Sequence, residues 1–453
     1  VSLGDTKLGK SPITPNIDTL GTLRPNVFAD IALDGSDADN SVTKGRYVHM
    51  HENCQIGRRL REIRSWRQLS IRAVAELSGL SFGYLAKIER GEKPVNSRHT
   101  LEALAQTLRV SPAELTGKPW APTDPVGSDG HAALLGIETV LESLELGIDP
   151  EVPTRPWPEV ARDVTRLADL MHVHGDYAAQ GALVPDLMAE LHALYVRQPR
   201  RRADVLVGLI QCYSSACWVS KRLGGRGLPL LAARMAQQCA RELGAPEWLG
   251  YTTWLRADVA GQLDRATQYN RDVRMADELS KFLNDPRVIQ MYGMLHLSAA
   301  LAAATRTDRQ TMTTHLDEAS AVANRLDNEV GTFARLWFGR TNVGIWRTSL
   351  ATEMGEGPKV AEVARNVRVE LIPSPCRQAE FWADFGRSML AEPNTRERGL
   401  GALLHAEQLA PQRIRNDVFV REAVSELLRH NRRQSGGREL RGLAWRMGVA
   451  PIG

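Results

Sequence analysis

Between residues 56 and 115, apolar side chains recur at spacings of three and four, the register of short amphipathic helices. Ile56, Leu60 and Ile63 share one face of a segment over 56–64. Ser70 stands where an N-cap is wanted ahead of Ile71–Leu77, in which Val74 and Leu77 are expected to point inward and Ala75 to make a close contact. Gly79 supplies a tight turn and Leu80 its anchor. Ser81 caps a helix over Phe82–Arg90, which Gly91 ends. A fourth helix is predicted over Arg98–Leu108, carrying Leu101, Leu104, Ala105 and Leu108, and Ser111-Pro112 opens a short fifth. The helices over 71–77 and 82–90, locked through Ala75, Leu80, Leu85 and Ile88, leave the outer face of the second free.

From residue 131 onward nearly every segment is helical in pattern, and few runs alternate as strands do. Breakers at 151–158, Gly175, Pro199, Gly224-Gly225, Gly244-Ala245-Pro246, Asp285-Pro286 and Pro373-Ser374-Pro375 cut the region into short helices. Ala236, Ala276, Ala319 and Ala406 each sit in a charged amphipathic helix preceded by a more apolar one, with a further unit around Val360–Val367. Small residues at recurring positions allow close helix packing. The unit ending at Ala406–Pro411 resembles the second helix of a tetratricopeptide repeat, although these units run longer than that repeat. Residues 1–50 lack a sustained period and read as a flexible extension, and Met50 offers a second possible start. The Pro- and Gly-rich stretch over 118–130 reads as a linker.

Composition narrows the class. Hydrophobic residues make up 43% and charged residues 24% of 453 positions, a mix that suits a soluble chain of two or more folding units. No apolar run of about 18 residues and no charged-then-apolar leader is evident, so neither spanning nor secretion is expected. Residues 51–120 carry twelve Lys/Arg against seven Asp/Glu, and residues 421–453 seven against three, whereas the middle is mildly acidic. A basic module attracts a phosphate backbone without selecting a sequence. The five cysteines, Cys54, Cys212, Cys217, Cys239 and Cys376, form no CxxC pair and read as reduced thiols of a cytoplasmic protein. Neither His172 with His174 nor His51 with Cys54 has the further ligands zinc requires. No phosphate-binding loop, HExxH or GxSxG occurs, so no catalytic residue, metal or cofactor is expected.

The ordered set Leu69-Ser70, Ala75, Gly79-Leu80-Ser81, Leu85 and Ile88-Glu89-Arg90-Gly91 resembles the Cro/CI-type, or XRE, helix-turn-helix family. The resemblance implies an all-α chain opening with a five-helix, lambda-repressor-like DNA-binding domain over 51–117. A tetratricopeptide-like helical-repeat domain over 131–430 and a basic tail over 431–453 would follow. It implies base reading by Phe82, Gly83 and Lys87, where Lys87 is able to donate to guanine and Phe82 to pack on a thymine methyl. Tyr84, Arg90 and Lys93 match positions that approach the backbone, and Arg58, Arg59, Arg72 and Ser81 are further backbone candidates. Glu89, whose charge opposes phosphate, is expected to bridge within the domain. The chain departs from the family pattern at Ile71, where glutamine is common, and at Gly83, which has no side chain to read a base.

A small DNA reader joined to a long helical domain resembles Gram-positive regulators that sense peptides or small molecules. The expected partners are double-stranded DNA, a second copy of the chain and such an effector, with no membrane. Tyr213, Trp218, Trp248, Tyr251, Trp254, Tyr292, Trp337, Trp346 and Trp382 are the candidate effector-pocket residues, with core packing as the alternative for each. The competing functional reading is a protein-interaction scaffold that the helix-turn-helix recruits to DNA.

Overall fold

The computed structural model describes residues 55–110, 112–116, 125–225, 227–259, 265–431 and 437–449, and every statement below concerns these. The expectations for 1–50, Met50, His51, Cys54, Ser111 and 118–124 lie outside the described residues. Among the described residues the fold is all-α, without a strand.

Five helices open the chain: α1 (Gln55–Trp66), α2 (Ile71–Ser78), α3 (Phe82–Glu89), α4 (Arg98–Thr107) and α5 (Pro112–Thr116). Their boundaries follow from local chemistry. Ser70, Ser81 and Ser97 each accept a hydrogen bond from a backbone N–H in the first turn they precede, and Gly79 closes α2 at φ 69°, a conformation that favours glycine. Leu60, Leu85, Ile88, Leu104, Leu108 and Leu115 are fully buried between the five helices. One expectation is corrected here. Leu77 points outward, 69% exposed, and Ser78 takes the inward place one position on. Its hydroxyl donates to Val74 O (2.6 Å), so the buried polar group is satisfied by its own helix.

Sixteen further helices follow. The first eight are α6 (Pro125–Ser143), α7 (Trp157–Asp169), α8 (Tyr177–Arg197), α9 (Arg202–Arg222), α10 (Leu228–Leu243), α11 (Pro246–Val259), α12 (Arg265–Leu279) and α13 (Pro286–Thr305). The remainder are α14 (Arg309–Ala323), α15 (Arg340–Glu353), α16 (Val360–Ala364), α17 (Pro375–Met389), α18 (Arg396–Leu409), α19 (Pro411–Arg415), α20 (Val418–Asn431) and α21 (Arg438–Arg446). Helix α6 starts inside the stretch expected to be linker, so 125–130 is helical. The expected basic tail likewise contains α21, whose Leu440, Leu443 and Ala444 are buried.

Neighbours in sequence pack as neighbours in space, most extensively α9 on α10, α13 on α14, α17 on α18 and α12 on α13. Ala236, Ala276, Ala319 and Ala406 are all buried, in α10, α12, α14 and α18. Helix α13 is long and apolar enough to cross a membrane by composition, which the expectation from the sequence missed, but 83% of its apolar window is buried in the protein. Gly293 within it leaves the space that the fully buried Phe338 ring fills, since a Cβ there would lie 1.9 Å from the ring.

The array bends until its early and late helices meet. Ser374, the N-cap of α17, donates to His172 O (2.5 Å), the Tyr177 N–H donates to Gln412 Oε1 (2.8 Å), and Arg335 pairs with Asp169. Residues Asn53–Gly453 form one compact unit, so the five-helix bundle is not set apart from the larger array. Phe419, in α20, is 7% exposed and belongs to the same apolar cluster as Leu60, Leu85 and Leu104, with Val418 packed against it. Arg98 of α4 and Arg387 of α17 place their guanidiniums over the Phe419 ring, 5.4 and 4.8 Å from its centre. Phe419→Ala is expected to cost about 3–5 kcal/mol, the range for deleting a buried aromatic. Amide exchange in α3 and α4 should accelerate with it, and unchanged exchange there would show that the bundle does not depend on α20.

Candidate nucleic-acid interface

The short loop between α2 and α3 is closed by caps at both ends, so α3 is presented at a fixed angle. A buried ion pair holds it from behind. Arg64 of α1 donates from Nε and Nη2 to both oxygens of Glu89 (2.6 and 2.9 Å) and from Nη1 to Leu69 O (2.8 Å). Glu89 keeps only 6% of its side chain exposed, and the bidentate guanidinium is what makes a carboxylate tolerable there. Glu89 thus bridges within the domain. Sequence reading missed Arg64, because nothing local links positions 25 apart; an Arg on the inner edge of the first helix opposite an acidic residue late in the third is the only available signal.

The three base-reading candidates lie exposed along α3. Phe82 is 51% exposed, outside the apolar core, Lys87 is exposed, and around Gly83 no atom would crowd an added Cβ. Arg72 is exposed on α2. The other backbone candidates divide into free-facing and engaged groups. Arg58 is exposed, 3.7 Å from Glu62 on the same helix, and Arg90 is held by Glu92 at 2.6 and 2.9 Å. Arg59 is half-buried and donates to Glu114 O (3.2 Å), tying α1 to α5. Ser81 is spent on capping, its oxygen accepting from the Tyr84 N–H (3.2 Å). Tyr84 is half-buried with its hydroxyl donating to Pro94 O (3.4 Å), and burial pushes its pKa up. Lys93 sits 3.6 Å from Glu426 of α20.

The domain is clamped to the helical array through α4. Glu353, at the end of α15, accepts from the Arg98 backbone N–H (3.0 Å) and from its guanidinium (2.5 Å), at the α4 N-terminus where a negative charge is favourable. Arg265 grips Glu102 (2.6 Å), His99 Nδ1 meets Thr305 O (2.8 Å), and Arg387 donates to Asn96 O (2.7 Å).

The profile of a family described as Helix-turn-helix domain matches residues 55–116. Neither a curated protein nor a solved structure matches the chain. Among the described residues no group of three or more His, Cys, Asp or Glu is placed to hold a metal ion.

The aromatic candidates in the larger region separate into two sets. Tyr213 and Tyr251 are buried and spend their hydroxyls inside the core, Tyr213 on His192 Nε2 (2.8 Å) and Tyr251 on Ser214 Oγ (3.0 Å). Trp254 is buried against Trp218 and Tyr251, and Trp382 is buried among Phe381, Phe385 and His405. Trp218, Trp248, Tyr292, Trp337 and Trp346 are half-buried. The indole nitrogens of Trp337 and Trp346 are buried without a hydrogen-bond partner among the described residues. Trp337 follows Ala334 and Arg335 in a loop where all three adopt left-handed φ (57°, 46° and 52°), a strained backbone of the kind that gathers at ligand sites. An open hollow of about 690 Å³ at residues Arg197–Arg201 lies elsewhere, and Arg197 and Arg201 there are paired with Asp149 and Asp204.

Two buried groups shift stability with pH in opposite directions. His172, in a π-helical turn over Leu170–His174, is pushed down to about 3 by burial and by Arg335 and Arg413. It stays neutral in the fold while the unfolded chain takes up a proton below about 6.5, so its contribution is present above that pH and is lost as pH falls toward 3. Asp272 is pushed up to about 7 by burial, so its contribution is present below about 3.9 and is lost as pH rises through 7. Melting curves between pH 4.5 and 8 should therefore show a shallower acid loss in His172→Gln and a shallower alkaline loss in Asp272→Asn. Profiles parallel to the parent would refute the assignment.

Proposed function

We propose that the chain is a sequence-specific DNA-binding transcriptional regulator that acts in the cytoplasm as a homodimer on an inverted-repeat operator. In this reading α3 enters the major groove, Lys87 and Phe82 meet base edges, and Arg58, Arg72, Arg90 and Lys93 approach phosphates. The single observation that carries it is the exposure of Phe82 and Lys87 on a helix capped by Ser81 and braced by Arg64–Glu89. An amine and an aromatic ring displayed outward on one helix are groups that base-edge contact uses, the amine on guanine and the ring on a thymine methyl. Two half-sites raise the affinity and selectivity that one small domain supplies.

The larger region, in the same reading, is a tetratricopeptide-like array that receives a peptide or small-molecule effector. Support comes from the sequential helix pairs with buried alanines and from the clamp on α4, which gives the array a mechanical hold on the DNA reader. Dimerisation through the array would fix the separation of two clamped α3 helices and hence the half-site spacing.

The test is selection of genomic DNA fragments by the purified full-length chain, repeated with Lys87→Glu. The expected outcome is a shared inverted-repeat motif, lost or weakened about a hundredfold in the variant, which exchanges an attraction to DNA for a repulsion. A motif recovered equally well by both proteins would overturn the assignment of Lys87, and no motif with or without cell extract would overturn the DNA-reading function.

A further inference from the structure

The side of α20 that meets the five-helix bundle makes two contacts of opposite kind. Phe419, in its first turn, is buried in the core of the bundle, and Val418 packs against the same cluster. Seven positions on, and so on the same helix face, Glu426 reaches the turn that joins α3 to α4. Its Oε1 lies 3.6 Å from Lys93 Nζ, within ion-pair reach but longer than a direct hydrogen bond. The two side chains keep 47% (Lys93) and 27% (Glu426) of their surface exposed, and a pair so wetted contributes little by itself. Seating Phe419 fixes the axis of α20. Packing therefore delivers the carboxylate to Lys93, rather than the attraction between the two charges.

Lys93 is one of the groups that would approach DNA phosphate, and its neighbours on that turn are engaged in the same manner. Arg90 gives Nε and Nη2 to the two oxygens of Glu92 (2.6 and 2.9 Å). The Tyr84 hydroxyl donates to Pro94 O (3.4 Å), and Glu426 adds to burial in raising its pKa. Each donor on this edge of α3 thus already faces an oxygen of the protein itself. To an ammonium, a carboxylate oxygen and a phosphate oxygen are the same kind of partner. Glu92 lies two residues from Arg90 and travels with the turn. Glu426 is different, because it belongs to the large array and is present at the turn only while α20 is docked.

We infer that α20 is an autoinhibitory element, with Glu426 standing at Lys93 in the place of a DNA phosphate, so that helix and DNA compete for one ammonium group. The inference rests on the DNA-reading function proposed above and adds its regulation. The competition is graded: a half-exposed pair lowers affinity for DNA without closing the site. A movement of the array that withdraws α20 from the turn frees Lys93 and also removes a carboxylate that would repel the incoming phosphate. By linkage, DNA that takes Lys93 weakens the hold of α20 on the turn to the same extent.

The experiment titrates the full-length chain into a fluorescent DNA duplex of random sequence at fixed low ionic strength, reading anisotropy, so that no operator need be known. Glu426→Gln should bind about three- to tenfold more tightly than the parent, a gain that loss of folding does not produce. The gain should vanish when Glu426→Gln is made on a Lys93→Gln background, since the cation under competition is then gone. A gain of the same size on that background would mark a general effect of net charge and overturn the competition. Parent binding that Glu426→Gln leaves unchanged or weakens would overturn the autoinhibition while the DNA-reading function stands. Silence of both parent and Glu426→Gln would instead strike the DNA-reading function, and the inference with it.

Discussion

A carboxylate with almost no access to water must be paired, and the way Glu353 is paired organises this molecule. Only 2% of its side chain is exposed, and its partners are the backbone N–H and guanidinium of Arg98, at the first turn of a helix 255 positions away in sequence. Removing either partner leaves a buried charge, a situation proteins tolerate poorly. The pairing fixes where α4 begins relative to the end of α15. Arg387, 4.0 Å from the same carboxylate, extends the constraint to α17 and reaches Asn96 O. Arg98 and Arg387 also place their guanidiniums over the Phe419 ring, an apolar plug of the bundle held by two cations. The helix-turn-helix bundle is therefore completed by a residue of the large array, and its orientation follows from that array.

The same logic of desolvated charge runs through the interior of the large region. Its sequence is mildly acidic in balance, which by counting alone describes an ordinary solvated surface. The structure sorts those charges by depth. Glu380 gathers arginines from α9, α17 and α19, and Asp417 divides its oxygens between one of them and the first turn of α20. A single side chain, Asp417, thus joins Arg222 of α9 to the first turn of α20, which carries Phe419 into the core of the five-helix bundle.

How much of this was legible beforehand depended on the range of the interaction. Caps were readable because a serine and the amide it serves lie three positions apart: Ser70, Ser81 and the glycine turn at Gly79 fell where expected. The inward face of α2 was misread at Leu77 because hydrophobicity was allowed to outrank geometry. On a two-turn helix, Val74 and Ala75 leave the inward position to Ser78, which satisfies itself on the preceding turn. Aromatic residues of the large region were recognisable as a group, but not as individuals. Tyr213 and Tyr251 differ from Trp346 in depth and in what their polar atoms meet, and both are set by other helices.

The sequence by itself determined the helical character of the chain, the five-helix order of the opening bundle, the outward display of α3 and the buried alanines of the paired helices. Each of these is governed by periodicity, capping or side-chain size within a few turns of the same segment. Tertiary structure alone decided that the bundle is clamped and plugged by the array, that Arg64 braces Glu89, and that scattered arginines converge on Glu380. Those outcomes depend on long-range pairing of charges taken out of water, whose energy belongs to a site that exists only once the chain has folded around it.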